Sequence, residues 1–71
     1  KDCVMRDGHA VWGPIGEMGI DWAGHIGELA RAGYAGWLSL ETHWKGASGD
    51  KLEASVICAQ RLRALVAAVA A

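Results

Sequence analysis

At 71 residues the chain is one domain at most, and a chain of that size buries only ~60% of its unfolded surface, so it is marginal without help. The formal net charge is -1 with no basic patch, which gives no electrostatic footprint for nucleic acid. No apolar run reaches the ~18 residues of a membrane span and no secretory signal is evident. A cytoplasmic location is therefore expected, with neither nucleic acid nor membrane as partner.

The two cysteines, Cys3 and Cys58, are far apart in sequence. They do not form a disulfide framework and fit a reducing compartment, as two small buried hydrophobes. The chain opens abruptly at Lys1 with KDCVM, so a fragment or a processed product is expected.

KDCVM is expected to be the end of a strand. Residues 6–20, RDGHAVWGPIGEMGI, are rich in glycine and hold the only proline. That composition predicts a long loop, and long loops in compact domains are often functional. Asp21 is then a good N-cap for a helix over about 22–32, because its carboxylate accepts a backbone N–H of the first turn. Trp22, Ile26, Leu29 and Ala30 share one face of that helix. Gly33 supplies the left-handed stop just past its end.

A strand is expected from about Trp37 to Glu41, within the run GWLSLETH. Asp50 caps the last helix, with Glu53 completing a capping-box pattern. Leu52, Val56, Ala59, Leu62, Val66 and Val69 trace an apolar stripe along it. Arg61 and Arg63 flank the stripe as solvated edges. Strands alternating with helices argue for parallel βα units, and two such units cannot cover a sheet alone. A (β/α)8 barrel has ~250 residues in eight units, so this length is a little over two of them.

Glu41 ends the most strand-like run in the chain. Side chains alternate across a strand, so Leu38, Leu40 and Thr42 share one face and Trp37, Ser39, Glu41 and His43 the other. In a barrel the leucine face packs on the outer helices and Glu41 points inward at the C-terminal mouth, where such folds keep their chemistry. A carboxylate there is costly unless paired with a cation, and a divalent metal is a natural partner. The rival reading, a solvated residue just past a strand, has equal weight on pattern alone.

The combination of Lys1-Asp2, the loop ending GPIGEMGIDW, a helix, and GYAGWLSLETHW resembles the C-terminal end of the sugar phosphate isomerase/epimerase family. These are xylose isomerase-like TIM barrels related to endonuclease IV. The resemblance covers essentially the whole chain. It implies an α/β fold: the end of strand 7 at Lys1–Met5, helix 7, strand 8 at Trp37–Glu41, and helix 8. It further implies a divalent metal cofactor (Mn, Mg, Zn or Co) and a sugar or polyol substrate. The reaction implied is proton transfer next to a carbonyl, within carbohydrate metabolism, in a protein able to form homo-oligomers.

By the same resemblance Glu41 is a metal ligand and a catalytic carboxylate. The family's other ligands, a Glu, an Asp and a His, lie on earlier strands, the His usually just before the Lys-Asp pair. Asp7 and His9 form a D-x-H similar to a ligand pair of endonuclease IV, and are weaker metal candidates. A polar turn is the plainer reading of those two. Arg6, Glu17 and His43 are candidates for substrate binding, with solvated loop residues as the alternative. Met18 departs from the glycine often found there. Trp12 and Trp44 could border a sugar pocket, though packing alone accounts for them. The competing functions are an endonuclease IV-like phosphodiesterase and a non-catalytic truncated chain. The isolated 71-residue chain is expected to be inactive and unstable by itself.

Overall fold

The computed structural model describes residues 1–70, so residue 71, the end of the alanine-rich tail, lies outside the described residues. Two strands, β1 (Asp2–Arg6) and β2 (His9–Gly13), are followed by two helices, α1 (Trp22–Arg31) and α2 (Lys51–Ala70). The strands pair antiparallel, with Asp2 opposite Gly13 and Arg6 opposite His9. Among the described residues the architecture is thus a small α/β fold of one hairpin and two helices, with no barrel.

The hairpin corrects the expectation of a loop over 6–20. Asp7 and Gly8 both have positive φ, 51° and 78°. That is the two-residue turn whose twist matches the flanking strands, and Asp-Gly is its preferred dipeptide. The chain therefore doubles back at once, and His9–Gly13 becomes a strand.

A two-stranded ribbon is marginal in water, and the rest of the glycine-rich segment supports it. Gly19 N–H donates to the Cys3 carbonyl at 2.9 Å, and Glu17 N–H closes a turn on Pro14. Arg61 reaches across from α2 to the Ile15 carbonyl through Nε, at 2.5 Å, and to Glu17 through Nη1, at 3.4 Å. It is half-buried rather than the solvated edge its place beside the stripe suggested. Arg61→Ala is expected to cost about 1–2 kcal/mol, because a charge-assisted bond to a part-buried carbonyl is lost. Urea denaturation measures this.

α1 follows its sequence signals. Asp21 accepts from Gly24 N–H at 3.0 Å. At the other end Gly33 N–H bonds the Ala30 carbonyl and Tyr34 N–H the Leu29 carbonyl, with Gly33 at φ 75°, which is a Schellman stop. Ile26 is buried, but Leu29 and Ala30 stay exposed on the same side.

α2 starts as expected. Asp50 accepts from Leu52 and Glu53 N–H at 2.9 and 3.4 Å. The reciprocal arm of the capping box does not form, since Asp50 N–H donates to Ser48 Oγ instead. The buried face also differs from the expected stripe. Ala54 and Cys58 are fully buried, whereas Leu52 is 75% exposed and Val56 and Val66 are exposed too. Small side chains let the helix approach closely: a Cβ on Gly46 would sit 3.4 Å from that of Ala54. Apolar residues surround α2 on nearly every side, so periodicity alone did not choose the face.

Trp37–Glu41 is not a strand, which corrects the expected eighth strand. One edge of β1 is taken by β2 and the other is partly used by Gly19. Without a free ladder the segment has no backbone partner to pair with. Its alternation holds only from Leu40 onward. Leu40, Thr42 and Trp44 are half-buried and Glu41 and His43 exposed, but Trp37, Leu38 and Ser39 are all exposed, Trp37 to 91% and Leu38 to 40%. Leu38 and Leu40 line a cleft of ≈ 180 Å³ together with Ile26, Leu29 and Leu62 of the two helices.

Candidate functional site

The site is built around Glu41, and its frame is set by Asp2. The Asp2 side chain is 1% exposed. Its Oδ1 accepts from the N–H groups of Cys3 and Ile20, at 2.9 and 3.1 Å. Its Oδ2 accepts from Gly16 and Met18, at 2.9 and 3.4 Å. One buried carboxylate thus gathers four backbone donors and folds the loop onto the hairpin. Such charge-assisted bonds are the strong ones.

Asp2 fixes the residue before it. The Lys1 carbonyl accepts from Trp22 Nε1 at 3.0 Å. From this held root the Lys1 side chain reaches Glu41, with Nζ 2.5 Å from Oε1. His43 Nδ1 lies 3.8 Å from the same oxygen. The His43 ring stacks on Trp12 of β2, with centroids 4.5 Å apart and planes 22° from parallel. Lys1 Nζ also lies 5.7 Å from the Trp12 ring centre. Lys1, Trp12, Glu41 and His43 therefore form one cluster at the open end of the hairpin.

The Glu41 side chain is 70% exposed. The hydrogen bond from Lys1, and next the Lys1 charge, hold its carboxyl below the ordinary 4.5. A lowered folded value means that the pair's contribution is present above pH 4.5 and is lost as pH falls through the lower midpoint. The Glu41 carboxyl carbon is expected to titrate by NMR below the ordinary glutamate range. Lys1→Met is expected to move that midpoint back up.

Of the other sequence candidates, Asp7 forms the hairpin turn and Arg6 and His9 are the exposed pair beside it. They lie at the opposite end of the hairpin from Lys1, about 17 Å along the strand at the usual rise per residue. Glu17 faces Arg61. Only His43, among these, shares the neighbourhood of Glu41. Sequence reasoning passed over Asp2 and Lys1 as site residues. Asp2 has no distinctive spacing, because its partners are backbone N–H groups, and only the glycine-rich loop hinted at them.

Among the described residues no three His, Cys, Asp or Glu side chains converge as a metal site. Glu41 Oε2 has no hydrogen-bond partner among them, and His43 is adjacent. These groups fit one or two positions of a divalent ion's shell, which needs about six donors. The remaining donors must come from outside this cluster.

Among the described residues no helix is long and apolar enough to cross a membrane. No family model matches the chain, and searches of curated proteins and of solved structures find no significant match.

Proposed function

We propose that this chain is the C-terminal βα portion of a cytoplasmic, xylose isomerase-like barrel. In that reading it belongs to a divalent-metal isomerase or epimerase acting on a sugar or polyol. The observation that carries the reading is the meeting of Lys1 and Glu41, 40 positions apart, at 2.5 Å. The resemblance puts the Lys-Asp pair and the last-strand Glu at the same mouth. The large apolar residues left exposed on α2, and the exposed Trp37, further support a fold with more layers than a hairpin and two helices.

In this role Glu41 supplies one carboxylate ligand, and His43 stands beside it. The metal, when bound, polarises a substrate carbonyl and stabilises negative charge next to it. Lys1 pairs with Glu41, and the buried Asp2 beside it holds the Lys1 backbone in place. Trp12 and His43 offer a flat apolar wall to a sugar ring.

The test is isotope exchange. The complete protein is incubated in D2O with Mn2+ and a panel of aldoses, ketoses and their phosphates. Deuterium entering next to the carbonyl, and its abolition by EDTA, are expected. Absence of exchange across the panel, with cleavage of abasic DNA by the same preparation, would replace this reading with the endonuclease-like one.

A further inference from the structure

We propose that the outward strip of α2 is the interface of an antiparallel homodimer, in which Glu53 and Arg63 of one copy pair with Arg63 and Glu53 of a second. The inference goes beyond the reaction proposed above and does not depend on it.

Glu53, Val56, Gln60, Arg63 and Ala67 follow one another at spacings of three and four residues, so they line one side of the helix. All five are exposed. Val56 is 49% exposed, and Leu52, beside the strip, is 75% exposed. The other side of α2 is already occupied. Ala54 and Cys58 are fully buried there, and Cys58 Sγ lies 3.8 Å from Thr42 Oγ1. Arg61 is fastened to Ile15 and Glu17. The strip therefore points away from the hairpin and its loop.

Charge selects the occupant. Among the described residues neither Glu53 nor Arg63 takes part in an ion pair. They stand ten positions apart, about 15 Å along the axis at the usual rise, which is too far to meet within one helix. A strip of one sign would call for a partner of the other sign. This one carries one charge of each sign, placed evenly about its middle. A parallel second helix would set like charges opposite each other. An antiparallel copy, with its two-fold axis level with residue 58, joins both pairs at once. Such self-complementarity is what an isologous two-fold interface requires. The same register lays Val56 on the stem of Gln60 twice, and sets Ala67 opposite Gly49, which has open space around it.

The experiment is sedimentation equilibrium of the complete protein over a range of concentrations. It compares the parent with Glu53→Arg, Arg63→Glu and the double exchange. The parent is expected to dimerise, less tightly as salt is raised. Each single exchange turns two attractive pairs into two repulsive ones, and is expected to weaken the dimer roughly tenfold or more. The double exchange restores opposite charges and is expected to return the affinity to near that of the parent. A parent that stays monomeric at every concentration overturns the proposal, and leaves the strip to another part of the complete chain. A dimer that none of the exchanges weakens places its interface elsewhere and overturns it too. Weakening by both single exchanges without rescue by the double rules out the antiparallel register. Far-UV circular dichroism of each variant separates these results from a failure to fold.

Discussion

Asp2→Ala is expected to unfold the segment that the native side chain holds together. The carboxylate accepts from four backbone N–H groups and is 1% exposed. Removing it leaves part-buried donors without partners. Hydrogen bonds to charged groups contribute ~1.5–3 kcal/mol each, and an orphaned buried donor costs ~1–3 kcal/mol. These terms are not additive, and water reaches some of the freed donors. A loss of roughly 3–4 kcal/mol is the expected result. Among the described residues the buried apolar core is Ile15, Ile26, Ala54 and Cys58, so little else resists the change. Asp2→Asn keeps one acceptor oxygen but turns an amide NH2 toward backbone donors, so it should lose about half as much. Urea denaturation and amide exchange at Gly16, Met18 and Ile20 measure both. A cost under about 1 kcal/mol for Asp2→Ala, the ordinary range for a surface change, would sink the anchoring role.

If the proposed isomerase function holds, Glu41→Gln is expected to lower the kcat of the complete protein by about a thousandfold, the middle of the range for a positioned acid–base group. The substitution is nearly isosteric and the side chain is 70% exposed, so stability should barely change. Steady-state kinetics of isomerisation, with bound metal measured by elemental analysis, give the answer. Loss of metal together with activity identifies Glu41 as a ligand. Loss of activity with full metal content assigns it to proton transfer alone. Unchanged kcat and metal content would refute both roles.

Much of the helical structure was legible in the sequence, because caps are local. Asp21, Gly33 and Asp50 each act within a few residues of their own position, and each does what its type predicts. The hairpin was equally local, in the Asp7-Gly8 pair, but glycine content drew the reading toward a loop. The face of α2 was less legible. Where apolar residues lie all round a helix, close approach decides, and Ala54 and Cys58 prevailed over Leu52 and Val56 by being small. The segment Trp37–Glu41 has strand composition, yet a strand exists only when a neighbour offers its ladder. Its alternating burial was readable from Leu40 onward, because alternation belongs to the chain itself, but Leu38 of the same face is exposed. Glu41 and His43, which side-chain chemistry marks in the sequence, stand 3.8 Å apart in the structure. Asp2 carries no such mark, because its partners are main-chain groups that every residue carries.

The anchoring of the loop bears on the order of folding. The donors gathered by Asp2 lie at most 18 positions away, whereas Arg61 reaches Ile15 across 46. Closing a short segment costs less chain entropy than closing a long one, and contacts near in sequence form faster. The hairpin, its loop and the cap of α1 can therefore assemble as a first unit while α2 is still being synthesised. In this chain the ribosome exposes the receiving surface before it delivers the helix that Arg61 fastens to it.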